Sequence, residues 1–305
     1  MWSGQTAKKI RGPPIYNGET PIPQLIDYNQ IILASLFVSI GKHTNIYIDE
    51  NSIRHMFLNT IRSVRKKFYA EYGEIVICAD GKNSWRKAAF PYYKANRKKD
   101  RDASELDWNH LFNIMTTIRT ELKEIFPYKI IHLDHLEADD SIGTICNEFG
   151  TPLNSGERFI IYSSDKDYIQ LHTHGNVDQY DPVRKKWIRN NDPDKYLAEH
   201  ILRGDVGDGI PNVLSPDNAL AIGERQKPLT AKRIEALMDE ANMDETTRSR
   251  FYRNKMLIDL TQIPAEYQAQ ILDEYAREPK PDRNKMFNYF LEKRLQHLLP
   301  YIGEF

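Results

Sequence analysis

The sequence predicts an α/β protein: a mainly parallel central sheet covered by helices on both faces, followed by a helical C-terminal region. Three observations carry this reading. Four short segments are apolar runs that each end in aspartate, namely Leu25–Asp27, Ile75–Asp80, Ile130–Asp134 and Phe159–Asp165. Continuous apolar runs, as opposed to alternation, mark strands buried on both faces of a parallel sheet. Between the strands lie helical periodicities, and beyond about Lys195 the strand signal fades into charged, helical sequence.

In chain order, residues 1–24 carry Lys8, Lys9 and Arg11 followed by proline and glycine, so they read as a flexible extension and lack the apolar stretch of a secretory signal. After the first strand, Ile53, Phe57, Ile61 and Val64 recur at helical spacing, as do Ile114, Ile118, Leu122 and Ile125 before the third. Between the second strand and that helix, residues 82–110 form a basic, aromatic-rich lobe expected to stand off the sheet. Ile142, Ile145 and Phe149 give a helix after the third strand. A glycine-rich loop, Gly204–Pro211, opens the C-terminal part, and Pro264 marks a later break. The expected domains are 25–200 and 201–305.

A chain of 305 residues suffices for one large domain and a smaller appendage. No run approaches the roughly 18 apolar residues of a membrane helix, so a soluble protein is expected; it is further expected to be cytoplasmic and monomeric. Cys78 and Cys146 each sit in apolar sequence and read as buried free thiols of a reducing compartment. The 42 Lys and Arg residues balance 43 Asp and Glu, yet the two signs fall in separate clusters.

The acids form the first cluster. An open parallel sheet presents ligands at the carboxyl ends of its strands, and here Asp27, Asp80 and Asp165 occupy those ends. Glu137, Asp139 and Asp140 open a helix aimed at the same edge, and Asp167, Asp205 and Asp208 lie in nearby loops. Taken singly, Asp27 and Asp80 suit caps or turns, Glu137 to Asp140 suit the first turn of a helix dipole, and Asp205 and Asp208 suit a turn. Together they exceed what proton transfer needs and would repel one another. Hard divalent cations with oxygen ligands resolve this: Mg²⁺, with Mn²⁺ as a substitute. Two ions about 4 Å apart would serve phosphodiester hydrolysis. Asp134 is left out as a helix opener, and His132, His135, His172 and His174 are read as ordinary structural or surface residues.

The second cluster is basic. Lys82, Arg86, Lys87, Lys94, Arg97, Lys98, Lys99 and Arg101 surround Trp85, Phe90, Tyr92 and Tyr93. Cations interleaved with rings suit single-stranded nucleic acid, with phosphates on the charges and bases on the rings. A solvated helix with a few core aromatics is the plainer alternative. Lys94 and Arg97 could also stabilise charge on the scissile phosphate.

These residues fall into motifs: Leu25-Ile26-Asp27-Tyr28, Asp80 followed by Trp85-Arg86 and Tyr92-Tyr93-Lys94, Leu136-Glu137-Ala138-Asp139-Asp140, Ser164-Asp165-Lys166-Asp167-Tyr168, and Gly204-Asp205-Val206-Gly207-Asp208-Gly209-Ile210-Pro211. In this order they resemble the flap endonuclease and 5′ exonuclease family, most closely its short bacteriophage members, from Leu25 to the C-terminus. The resemblance implies a PIN-like nuclease fold and Mg²⁺-dependent 5′ to 3′ exonuclease, flap endonuclease and ribonuclease H activity. It implies a first metal site from Asp27, Asp80, Asp139 and Asp165, and a second from Asp167, Asp205 and Asp208 with Glu137 in support. Lys94 and Arg97 correspond to the basic residues at the base of the arch over the free 5′ strand. Residues from about 201, with Gly204, Gly207 and Gly209 in the loop, correspond to the start of a helix-three-turn-helix that grips duplex DNA. Asn212-Val213-Leu214-Ser215-Pro216 departs from the glycine-rich continuation usual in the family.

Expected substrates are DNA and RNA:DNA duplexes with 5′ ends or flaps, in primer removal during phage replication. A ribonuclease acting on single-stranded RNA and a non-catalytic branched-DNA binder are the alternatives. The long C-terminal region argues against the first, and the full acidic set against the second. The last residues, Tyr301–Phe305, suit either docking of a single-stranded-DNA-binding protein or sliding clamp, or simple packing.

Overall fold

The computed structural model describes residues 23–40, 48–150, 158–280 and 282–305. All but the end of the expected extension at 1–24 lies outside them. The order of elements is β1 (Gln24–Asp27), α1 (Tyr28–Ile40), α2 (Glu50–Tyr72), β2 (Ile75–Cys78), α3 (Trp85–Ala89), α4 (Ala95–Asp102), α5 (Trp108–Ile125), β3 (Lys129–Ile131), α6 (Ala138–Phe149), β4 (Phe159–Tyr162), β5 (Val177–Asp181), β6 (Lys186–Ile188) and α7 (Pro193–Arg203). Then follow α8 (Ala231–Leu237), α9 (Glu245–Ile258), α10 (Ala265–Tyr275), α11 (Arg283–Glu292) and a 3-10 helical end over Gln296–Glu304.

The six strands run in the order β3-β2-β1-β4-β5-β6. All neighbouring pairs are parallel except β5 with β6. The chain lays β1, β2 and β3 outward in one direction, then returns past β1 to place β4 on its other side. The crevice between the carboxyl ends of β1 and β4 is therefore the switch point of the topology, where such sheets bind ligands. Asp27 pairs with Cys78 in register, so Asp80 stands just beyond the same edge, and Asp165 follows the end of β4.

Each face of the sheet has its own core. On one, Ile53, Phe57, Ile61 and Val64 of α2 pack with Leu111, Ile114 and Ile118 of α5. Side-chain caps fix where these helices start: Asp49 accepts from the Ser52 N–H at 2.7 Å, and Asp107 from the His110 N–H at 2.9 Å. On the other face, Ile142 and Ile145 of α6 pack with Ile271 and Tyr275 of α10, with Cys78 and Cys146 among them as free, buried thiols. No helix among the described residues is long and apolar enough to cross a membrane.

The structure departs from the sequence reading in two places. β5 and β6 were not foreseen, because β5 is a polar run, Val-Asp-Gln-Tyr-Asp, that is nonetheless buried throughout. Its polar groups are each satisfied: Tyr72 donates to Asp178 at 2.8 Å, Gln179 Nε2 donates to the Ser163 carbonyl at 3.1 Å, and Ser164 Oγ donates to Asp181 at 2.7 Å.

The base of the 82–110 lobe, expected to stand off the sheet, is stitched to it. The Gly81 N–H donates to the Leu136 carbonyl, the Trp85 N–H to that of His135, and the His135 N–H to that of Lys82. Trp85, Phe90 and Tyr93 are buried, while Arg97 and Lys99 of α4 are exposed.

The residues after 200 pack partly among themselves and partly against the sheet. Leu202, Val213, Ile234, Leu237 and Met243 do cluster separately. But Leu260, Ile263 and Ile271 join one core of the sheet, and Met286, Phe290, Leu298 and Phe305 join the other. The C-terminal end is packed: Phe305 is buried against Phe126 and Phe290, with ring centroids 5.7 and 5.4 Å apart. Tyr301 is exposed, beneath the Arg62 guanidinium at 4.0 Å.

Candidate metal centre

Asp27 ends β1 and accepts the Gln30 N–H at 3.0 Å, so it does cap α1. Its second oxygen faces inward, 3.4 Å from Ser163 Oγ and 3.3 Å from the Tyr168 hydroxyl. Asp80 accepts from Asn29 Nδ2 at 2.8 Å and from the Ala138 N–H at 2.9 Å, which ties the end of β2 to the N-terminus of α6. Asp139, in the first turn of α6, accepts from Tyr168. Asp165 accepts the Asp167 N–H at 3.0 Å. Tyr168 thus lies against both Asp27 and Asp139, and among the described residues none of Asp27, Asp80, Asp139 and Asp165 is ion-paired.

The electrostatic result is a strained set. Burial, then the Asp80 and Asp165 charges, push Asp27 up to about 7. Burial raises Asp80, and burial with Asp165 and Asp27 drives Asp139 well above the usual carboxylate range. Asp167 is lifted to about 7 by burial and Asp165, with Asp205 and Asp208 adding to it. Carboxylates this close and this buried favour protonation unless a cation joins them.

A neighbouring group has the opposite balance. Lys94 Nζ lies 2.6 Å from Glu137 Oε1 and 3.5 Å from Asp208 Oδ2, and Arg97 pairs with the other oxygen of Asp208. The Tyr93 hydroxyl sits between these acids, 2.6 Å from Glu137 and 2.9 Å from Asp208. Burial works against ionisation of Glu137, but Lys94 and Arg86 beside it hold its carboxyl down at about 2. The loop of Asp205 and Asp208 is bolted to the base of α4: the Lys94 N–H donates to the Asp208 carbonyl at 2.7 Å, and Asn96 Nδ2 to that of Val206 at 2.9 Å. Gly209, at φ +72°, allows this approach, since a Cβ there would meet the Tyr92 carbonyl at 2.8 Å. Gly204 has φ +67° and tighter surroundings still, a Cβ there meeting the Ile210 carbonyl oxygen at 2.3 Å, whereas Gly207 is open apart from the Asp205 carboxylate.

Three expected site residues are placed elsewhere. Asp140 is fully buried and turned away: its carboxylate takes Arg86 at 2.7 Å, the Trp85 indole N–H at 3.3 Å and the Glu137 N–H at 2.8 Å, in a capping box. Arg86 is only 3% exposed and also donates to the Leu257 carbonyl, so it braces α6 and α9 and does not reach solvent. Tyr93 is buried and offers no stacking face. Of the remaining basic residues, Lys82, Lys87, Arg97 and Lys99 are exposed. The Lys98 side chain lies outside the described part of the structure.

His200 went unnoticed in the sequence. It closes α7 with Nδ1 3.6 Å from Asp167 and Nε2 3.5 Å from Asp205, and these three residues could together hold a metal ion. Burial disfavours its charged form, yet Asp205 and Asp167 raise it. Its signal was positional, a histidine on the helix that feeds the Gly204–Pro211 loop. Tyr168 and Asn29 were also missed as side chains that orient the acids.

A parallel sheet whose switch point gathers unpaired carboxylates, flanked by cations on a basic helix, defines a phosphodiester-cleaving nuclease. Residues 24–200 match the family of the 5′-3′ exonuclease N-terminal resolvase-like domain, and residues 193–305 match the T4 RNase H C-terminal family. The chain belongs to the 5′-3′ exonuclease family and is a 5′ nuclease. It is 32% identical over 294 residues to ribonuclease H of Enterobacteria phage T4, covering 92% of this chain and 95% of that one. To a 5′-3′ exonuclease of Buchnera aphidicola subsp. Schizaphis graminum it is 27% identical, with 65% and 67% covered. Among solved structures, the T5 D15 protein co-crystallised with metal ions shares the fold at a TM-score of 0.57 and 18% identity, covering 83% of this chain and 96% of that one. A T5 5′-exonuclease with bound zinc does so at 0.59 and 16%, covering 85% and 100%.

Proposed function

We propose that this nuclease hydrolyses phosphodiesters near the 5′ end of RNA:DNA and DNA duplexes and at 5′ flaps, using two Mg²⁺ ions, in primer removal during phage DNA replication. One observation carries the reading: Asp27, Asp80, Asp139 and Asp165 converge on the switch point with only neutral donors as partners, and with three of them pushed toward protonation. That donor set, all hard oxygens in a partly buried cradle, fits Mg²⁺.

In this reading Asp27, Asp80, Asp139 and Asp165 hold the first ion. Asp167, Asp205 and Asp208, with Glu137 behind them, serve the second. When bound, the ions supply an acidic water and charge neutralisation at the phosphate. The protein's own share is positioning. Tyr168, Ser163 and Asn29 fix the carboxylates, while Lys94 and Arg97 take the phosphate oxygens where negative charge grows. Water adds to phosphorus, the bond to the 3′ oxygen breaks, and that oxygen leaves with a proton, giving a 5′ phosphate and a 3′ hydroxyl. Lys82, Lys87 and Lys99 line the path of the single strand by its phosphates, so sequence selectivity is low. The C-terminal region supports a grip on the duplex backbone.

The test is product sizing on a 5′-labelled flap duplex and on a nicked RNA:DNA hybrid, each with Mg²⁺ and with chelator. Short 5′-derived products that disappear with chelator are expected. Binding without cleavage, or cutting of free single-stranded RNA alone, overturns the reading.

A further inference from the structure

The cluster of Lys94, Arg97, Glu137 and Asp208 is electrically complete as it stands. Two cations face two carboxylates, and Arg86 beside them is balanced by Asp140. Lys94 and Glu137 are both largely buried, so neither tolerates losing its partner without a replacement. Yet the proposed function gives each side a second role, the carboxylates serving the second metal ion and the cations serving the phosphate.

We propose that these residues exchange partners as a unit: substrate phosphate draws Lys94 and Arg97 off Glu137 and Asp208, and the freed carboxylates then take the second divalent ion. This rests on the metal-dependent reading above and adds an order of assembly to it. Charge balance argues for the unit. A divalent ion entering alone meets two cations already in place, and a phosphate entering alone meets two carboxylates; entering together, each offsets charge that the other would leave unpaired. The second ion and the nucleic acid therefore bind cooperatively, and each strengthens the other by the same factor.

The backbone is built for such an exchange. Lys94 sits at φ +55° with its N–H fixed to the Asp208 carbonyl, and Asn96 holds the same loop, so the main chain stays put. Only side-chain torsions need change. Arg97, about half exposed, has solvent on one side into which its guanidinium can swing. Tyr93 keeps Glu137 and Asp208 bridged throughout.

The experiment is calorimetric titration of Mn²⁺ into the full chain, free and with a flap duplex whose junction linkages carry a methylene in place of the 3′ oxygen, which keeps their charge but cannot be cleaved. The wild type is expected to bind one ion well and a second weakly, with the second strengthened about tenfold by the duplex, a typical coupling. In Lys94→Met the second ion binds that tightly without the duplex, and the duplex adds nothing. Arg97→Met moves the same way by less, and Lys94→Arg restores the wild-type pattern. Thermal melts establish that each variant is folded. If Lys94→Met and Arg97→Met bind Mn²⁺ as the wild type does, the exchange is overturned while the metal site stands. If the wild type binds no Mn²⁺, both fall.

Discussion

At the scale of single residues, the same carboxylates that make the site are what the fold must tolerate. Asp80 is one of the charges that push Asp27 up, while its own oxygens accept from Asn29 and the Ala138 N–H. Asparagine at this position keeps an acceptor for that N–H and removes the charge. Asp80→Asn is therefore expected to abolish cleavage, to leave flap binding intact, and to make the chelated protein more stable by on the order of 1 kcal/mol, the worth of a pKa unit. Urea melts in chelator check the stability, and a variant less stable than the parent would place the Asp80 charge among stabilising groups. Asp165→Asn is expected to abolish cleavage likewise; near-normal turnover would remove Asp165 from the site. The acids at strand ends were legible because an apolar run ending in aspartate shows both the strand and its exit. Asp140, Arg86 and Tyr93 were not, since composition cannot distinguish a charge that faces a groove from one neutralised inside. His200 was hidden for the converse reason: one histidine shows nothing until the fold sets it between Asp167 and Asp205.

At the scale of elements, periodicity revealed what is apolar and missed what is polar and buried. The faces of α2 and α5 followed the predicted spacing, whereas β5 was invisible because most of its buried groups are polar, Asp178 and Gln179 being satisfied by residues distant in sequence. The C-terminal end was equally ambiguous, because an aromatic at a chain end suits a partner or a core. Here Phe305 closes the core beneath Phe126 and Phe290. Phe305→Ala is expected to cost about 3 kcal/mol, the low end for a buried phenylalanine since a terminus can relax into the gap. The loss would appear as a lower urea midpoint with cleavage per folded molecule unchanged. A loss under about 0.5 kcal/mol, the usual range for surface substitutions, would mean the C-terminal turn is not seated in solution.

At the scale of the whole molecule, the return of the chain past β1 brings acids from distant parts of the sequence to one crevice, and their mutual repulsion makes stability depend on pH and on cations together. Asp27 moves from an ordinary 3.8 to about 7 on folding, and Asp167 does the same. A group whose pKa is raised in the folded state favours the fold below its unfolded value and loses that advantage as pH climbs through the folded one. Glu137 has the opposite sign: held down at about 2 from an ordinary 4.5, it stabilises above the latter and is lost as pH falls toward the former. In chelator the melting temperature is therefore expected to be highest around pH 4–5, the interval set by those unfolded values, and to decline as pH rises to about 7. Mg²⁺ supplies the missing positive charge and binds the ionised form, so it should raise the melting temperature strongly at pH 7.5 and hardly at all at pH 4.5. Scanning calorimetry across that range, with and without Mg²⁺, decides it. A chelated protein whose stability is flat from pH 4.5 to 7.5 would mean that these acids are neutralised by some other route, and the electrostatic case for a metal at the switch point would lose its basis.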